Sequence, residues 1–412
     1  MKILISAVGD TDPIRNFHDG PLLHIVRVYR PEKIVLVHSE RSLTKHDKLV
    51  KALKSIKDYS PEIIQDGGVL PDEQVAIFDK MYDTVSSIVK KYISDDEIIL
   101  NISSATPQII SAMFAVNRIS DFNVTAVQVM TPQQKSNEGL RHDNQEDIDT
   151  LIETNLDNQS DYENRTLKDT GSKFSQDLTK RNLKALIDNY DYQGALELLE
   201  KQKQKSFPNI KELRKKLTEI SDTIKIQGMP DKIVKANLST QAKSALNSYL
   251  NIDRNHKQGN IAEVLIRVKS LVEFILENYL NNHFLDVITY KEDGKPFLNA
   301  SKYPEILKKF QEDAKMRGQE YHSGYLSLPA YIGILKFFEP NHDLLKHIYK
   351  IQEINQVRNQ VAHSLQAFDR KNLKKVSSAV FASKQILLAS FDIDNHWFSF
   401  YEDLNQEIKK LL

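Results

Sequence analysis

Glu97–Ile119 reads EIILNISSATPQIISAMFAVNRI, and the order of its parts decides the fold. EIILNI is an apolar run of strand length, while IISAMFAVNRI has the length and spacing of a helix. SSATPQ joins them. There Thr106 is placed to cap the helix and Pro107 suits its first turn, where a missing N–H costs nothing. The strand signal recurs on either side, in Lys2–Val8 (KILISAV), Lys33–His38 (KIVLVH) and Val124–Met130 (VTAVQVM). Helix-length segments lie between, notably Leu43–Asp58 and Asp72–Ile93. Apolar strands alternating with helices predict a mostly parallel sheet covered on both faces. In such sheets ligands bind beyond the carboxyl ends of the strands, so the loops that follow strands are the ones to read.

After Thr131 the chain turns polar (QQKSNEGLRHDNQEDIDTLIETNLDNQSDYENRT), which reads as a linker or surface excursion. From Ser172 onward the pattern is helical. Asp191–Lys205 resembles one helix of a small helical unit, and Asn260–Asn281 carries Ile261, Val264, Leu265, Val268, Leu271, Val272 and Ile275 at helical spacing. A second long helix is expected over Asp343–Leu365. The whole is α/β followed by all-α.

With 412 residues, two or three domains are expected. Lys plus Arg and Asp plus Glu balance at 56 each, so nucleic-acid binding would need a local patch and not bulk charge. The absence of cysteine excludes disulfides, thiolate zinc sites and a cysteine nucleophile. MKILISAVGDTDP reads as a first strand and not a signal peptide, and no run approaches the roughly 18 apolar residues of a membrane span. A cytoplasmic protein is expected.

Two places carry chemistry. The first is the pair of loops VGDTDPIR and NISSATPQ, where backbone N–H groups at a helix start after a strand suit phosphate. No G-x-G-x-x-G and no Walker lysine is present, which argues against a dinucleotide fold and a P-loop. The second is VRNQVAHS, Val357–Ser364. On a continuous helix counted from Leu344, Arg358 falls inside the apolar arc and Asn359 and His363 lie at its edge. Arg358 and His363 are then about 140° apart, so one helix cannot aim both at one point. Two such helices meeting across a dimer could. Histidine near neutrality serves as acid or base, and a forked arginine stabilises phosphate charge. This suits metal-free RNA cleavage.

VGDTDPIR, NISSATPQ and RNQVAH, in that order, resemble the CARF–HEPN accessory ribonucleases of type III CRISPR systems, often called the Csm-six family. The resemblance covers the whole chain. It implies a Rossmann-like parallel-sheet CARF domain (1–172), a helical connecting domain (173–250) and an all-helical HEPN ribonuclease domain (251–412). It further implies a homodimer that cuts single-stranded RNA without a cofactor or metal. The implied activator is a cyclic oligoadenylate made by the type III interference complex, with cyclic hexa-adenylate the first expectation. Membrane and DNA are not implied partners. Arg358, Asn359 and His363 match the catalytic motif. Gly9, Asp10, Thr11 and Asp12, with Asn101, Ser103, Ser104, Ala105, Thr106 and Gln108, match the ligand loops, and His38 is a further candidate contact for adenine. Asp12, Thr106 and Gln108 are candidates for slow cleavage of the ring itself. One departure stands out: Ala105 occupies a position where the family commonly has Gly. Its Cβ restricts the backbone and narrows the approach to a phosphate. The rival readings are a ligand-gated DNA-binding regulator, for which no helix-turn-helix with a basic recognition helix is found, and a sensing or scaffold protein without nuclease activity. The basic stretch Lys201–Lys216 reads as a solvated face. His256, Lys257 and Arg267 are possible cleft residues, and Trp397 and its aromatic neighbours read as packing.

Overall fold

The computed structural model describes residues 1–93, 97–119, 124–132, 147–201, 208–355, 357–359 and 368–412. The chain divides into two units, Met1–Ser175 and Gln176–Leu412.

The first unit is built on six strands: β1 (Lys2–Ala7), β2 (Lys33–Ser39), β3 (Glu62–Leu70), β4 (Glu97–Asn101), β5 (Val124–Val129) and β6 (Thr166–Asp169). They lie in the order β3-β2-β1-β4-β5-β6, parallel except for β6, which runs antiparallel to β5. The period of two explains why the strands read as unbroken apolar runs. Leu4, Ile34, Leu36 and Ile99 face one way, onto Leu22, Ile25, Leu49 and Leu53. Ile3, Ile5, Val35, Val37, Ile98 and Leu100 face the other way, onto Met81, Val85, Ile88, Ile109 and Met113. Both faces of the central strands β1, β2 and β4 are buried, so their apolar residues do not alternate with exposed polar ones.

Four expectations need correction. The segment expected as one helix over Leu43–Asp58 is two, Glu40–Leu43 and His46–Lys54; a reciprocal Ser39–Ser42 cap starts the first early. The helix placed over Asp72–Ile93 begins only at Phe78 and runs to Tyr92. β3 had no expected counterpart. EIIQDGGVL mixes charge and glycine because it is an edge strand, with Gly67 and Gly68 at positive φ and a register shift against β2 between Leu36 and His38. Lastly, the polar segment after Thr131 is more than a linker. It returns as a helix (Ile148–Glu153), a short 3-10 turn (Leu156–Asn158) and β6. Buried polar groups hold it there: Arg165 donates to Asp157 (2.8 Å) and to the carbonyls of Met130 (3.0 Å) and Asp19 (3.1 Å), and Asn155 donates to Asp19 (2.7 Å). A polar return needs partners already in place, which composition does not show.

The second unit is helical around one core. Its long members are Ile210–Lys225, Thr240–Lys257, Ile261–His283 and Leu373–Ser390, and one small antiparallel hairpin pairs Ile288–Tyr290 with Pro296–Leu298. The buried stripe Val264, Leu265, Val268, Leu271, Val272, Ile275 and Leu276 lies on Ile261–His283 as expected. The helix expected over Asp343–Leu365 is interrupted: Leu344–Gln352 ends in a turn at Glu353–Ile354, and helical backbone resumes at Asn355 and Val357–Asn359. A turn resets the angular phase, so directions counted from Leu344 do not carry across it. No described helix is long and apolar enough to cross a membrane.

Candidate ligand crevice and nuclease motif

The strand order reverses at β1, with β2 on one side and β4 on the other, so the loops leaving β1 and β4 diverge and open a crevice at their carboxyl ends. Gly9–Asp12 and Ser103–Thr106 meet there. They are joined by Asp12, whose carboxylate accepts from the backbone N–H of Gly9 (3.0 Å) and of Leu22 (3.0 Å) and from the Ser104 hydroxyl. Burial raises the Asp12 pKa, and the hydrogen bonds from Ser104, Gly9 and Leu22 only partly oppose it. A Cβ at Gly9 would lie 2.5 Å from Ser104 Oγ, so glycine is what lets the loops close to this distance.

Behind the crevice, buried Asn101 donates to Ser6 Oγ (2.9 Å) and accepts from the Ser103 N–H (2.9 Å), while Ser103 Oγ accepts from Val129 N–H (2.7 Å). Thr106 caps the helix Pro107–Ile119 through Ile109 N–H (3.4 Å) and donates to the Val75 carbonyl (2.9 Å). A cleft of about 440 Å³ opens between Gly9, Asp10, Ser39, Arg41, Ala105 and Thr106. A smaller one of about 180 Å³ lies across the loop, lined by Thr11, Arg15, Ser103 and Arg165 among others. Gly9, Asp10, Ala105, Thr106, Thr11 and Ser103 are thus at the crevice surface. Asn101, Ser104 and Asp12 lie beneath it as supports, and Gln108 lines neither cleft.

Two cations were not foreseen. Arg41 spans the cleft mouth to Asp10 (3.1 Å), and largely buried Lys45 donates to the carbonyls of Gly9 (3.3 Å) and Asp10 (3.0 Å). They follow β2, so the rule of reading loops after strands, applied to Ser39–Lys45, would have found them.

His38 does not line the crevice. It is fully buried, with Nδ1 3.3 Å from Ser42 Oγ and Nε2 3.0 Å from His46 Nδ1. Burial and the neighbouring His46 push its pKa down to about 4. The unfolded chain takes up this proton near pH 6.5 and the folded one does not, so stability is lost as pH falls from about 6.5 to about 4, at about 1.4 kcal/mol per unit of pKa difference. Urea midpoints across that range should fall steeply in the wild type and less so in His38→Leu.

Ala105 has φ +140°, in the region that favours glycine. Ala105→Gly is therefore expected to stabilise the protein by about 1 kcal/mol, read as a higher urea midpoint at unchanged slope.

Among the described residues one cluster brings together three ligand-type groups, buried Asp19, His24 and Asp157. It is an ion-pair network. Asp19 accepts from Arg27 (2.6 and 3.0 Å), Asp157 from Arg165 (2.8 Å), and His24 Nε2 accepts from Arg165 N–H (3.0 Å). Two guanidinium groups already balance the two carboxylates, leaving no charge deficit for a cation.

In the second unit, Arg358 donates its backbone N–H to Ile354 (2.8 Å) in the helical manner and its Nη1 to Asn359 Oδ1 (3.0 Å). Its Nε is buried without a hydrogen-bond partner among the described residues. His363 lies outside the described residues. Lys257 and Arg267 are engaged elsewhere, Lys257 by Asp253 (2.6 Å) and Glu402 and Arg267 by Glu263, whereas His256 lines a separate cleft. Phe398, Phe400 and Tyr401 are core residues, with Trp397 packed against them.

Comparison with known proteins agrees with this layout. Family models match for the Csm6 CARF domain over residues 62–166, the Csm6 6H domain over 171–219 and the Csm6 HEPN domain over 232–409. The chain is 41% identical to the CRISPR system endoribonuclease Csm6 of Streptococcus thermophilus, with 100% of both covered. It is 40% identical to Csm6' of the same organism, over 98% of each. Among solved structures it resembles Enterococcus italicus Csm6 bound to cyclic hexa-2'-fluoro-hexa-dAMP, with a TM-score of 0.71, 33% identity and full coverage of both chains. An α/β sensor fold, a helical continuation and relatives matched from end to end place this chain in the Csm6 family of CARF–HEPN proteins.

Proposed function

We propose that the chain is a single-stranded RNA endoribonuclease of type III CRISPR defence, switched on by a cyclic oligoadenylate bound at the β1/β4 crevice. The observation that carries the first half is Arg358, held on a helix with its Nε unpartnered among the described residues, followed by Asn359 and, five residues beyond Arg358, by His363. The 2′-hydroxyl attacks the adjacent phosphorus, the O2′–P bond forms as the P–O5′ bond breaks, and a 2′,3′-cyclic phosphate is left. His363 moves the proton, Arg358 stabilises charge on the phosphate oxygens and Asn359 orients the arginine. The nucleophile is internal to the substrate and the motif supplies no carboxylate, so the chemistry proceeds without metal. Two copies of the motif in a homodimer complete one site.

The crevice reading is supported by its position, by its glycine-permitted loop contact and by the ligand named for the Enterococcus relative. A six-membered adenylate ring, supplied by the interference complex, is the proposed activator. Gly9, Asp10, Thr11, Ser103, Ala105 and Thr106 face it, and Asp12, Asn101 and Ser104 hold them. Slow cutting of the ring fits Thr106, the one of the three candidates that lines the larger cleft; Asp12 and Gln108 act there only indirectly. Domain limits of 1–172, 173–250 and 251–412 fit this division of labour. Ring binding across the paired sensor domains shifts the nuclease helices by favouring one arrangement over another.

The test is a fluorescent single-stranded RNA incubated with the protein in EDTA, with and without cyclic hexa-adenylate. Ring-dependent cleavage is expected. Cleavage only with the tetra-adenylate ring would change the ligand, and silence with every ring would leave a binding or scaffold role.

A further inference from the structure

We propose that a cleft in the second unit is a substrate subsite, which seats an unstacked RNA base while an adjacent basic run holds the phosphates. This rests on the reading of the chain as a ribonuclease. The cleft, about 760 Å³, lies between His256, Asn260, Glu263 and, from the far side of the motif, Phe368 and Arg370. Phe368 is nine residues beyond Asn359, so the subsite is within about 30 Å of the motif even on a fully extended chain.

Three features point to RNA. Phe368 is half-buried, packing against the core while also lining the cleft, as a stacking platform must. Arg370, Lys371, Lys374 and Lys375 place four exposed cations in six residues, and none is ion-paired with a described carboxylate. On a chain of zero net charge this is a local basic patch of the kind that RNA binding requires. The third feature is the polar lining. Asn260 spends its Nδ2 on Asn255 Oδ1 (3.1 Å) and Gln258 Oε1 (3.4 Å), which leaves its carbonyl oxygen as an acceptor, and Glu263, whose Oε1 is held by Arg267, adds its other carboxylate oxygen. These two acceptors favour bases with an exocyclic amino group, which offers two donor hydrogens, over uracil, whose one base donor is its ring N3–H. Cytosine, adenine and guanine carry that amino group.

The experiment uses the full chain carrying Arg358→Ala, to stop cleavage, with fluorescent oligocytidylate and oligouridylate as probes; neither contains the adenine of the activator. Oligocytidylate is expected to bind roughly tenfold tighter. Glu263→Gln should narrow that ratio, and Phe368→Ala should weaken both probes about tenfold, with Phe368→Leu as the variant that keeps the packing. Replacing Lys374 and Lys375 by Gln should lower the slope of log affinity against log salt by about 1.4. An unchanged slope, or a cytidylate-to-uridylate ratio that is the same in wild type and Glu263→Gln, overturns the proposal. Failure of the ribonuclease reading itself shows separately, as intact RNA with wild-type protein and every ring.

Discussion

Arg358→Ala should lower ring-activated RNA cleavage by about 100- to 1,000-fold while leaving ring affinity unchanged. A charged donor aimed at developing phosphate charge contributes on this scale, because its benefit is realised in the transition state and not in ground-state binding. The geometry argues against a structural origin for the loss: among the described residues the side chain makes one hydrogen bond, to its neighbour Asn359, and no carboxylate pairs with it. Arg358→Lys keeps the charge but not the fork, and should recover only a small part of the rate. Single-turnover rates at saturating ring, beside calorimetric ring affinity, decide the matter. A variant that cuts within a few-fold of wild type would remove Arg358 from the active site.

Asp12→Ala should cost about 3 kcal/mol of stability and abolish measurable ring binding. Asp12 is buried, and its removal leaves the N–H groups of Gly9 and Leu22 and the Ser104 hydroxyl without their shared acceptor. Orphaned buried donors are each worth about 1–3 kcal/mol. Because Asp12 ties the β1 loop to the β4 loop, both walls of the crevice lose their reference at once. Urea unfolding and ring titration check the two effects together. Ser104→Ala removes one arm of the tie and should show a smaller loss in both; a Ser104 variant as damaged as Asp12→Ala would shift the hub to the serine. RNA cleavage by Asp12→Ala should be as low with ring as without it.

The two sites were legible to different depths. The motif Arg358-Asn359-x-x-x-His363 and the loop NISSATPQ stand out because residue type and spacing are local properties. Thr106 capping the helix and Pro107 opening it follow from short-range rules, and the structure places both as those rules require. Inward or outward direction is different. Asp12 and His38 read as ligand contacts, yet Asp12 turns in to Ser104 and His38 to His46, partners 92 and 8 residues away. Arg41 and Lys45, unremarked among ordinary surface charges, line or brace the crevice because β2 pairs with β1.

By itself the sequence determined the alternation of apolar strands and helices, and hence a parallel sheet with two dry faces. It determined the helical second half and the residue types at both candidate sites. These depend on periods of two and 3.6 residues, which a short window contains. Only the tertiary structure decided that β3 is an edge strand, that a polar segment returns as β6 on the strength of Arg165 and Asp157, and that the motif helix breaks at Glu353–Ile354. Each of those outcomes depends on a partner distant in sequence or on competing backbone hydrogen bonds. The free energy of such a contact exists only once the chain has brought the groups together.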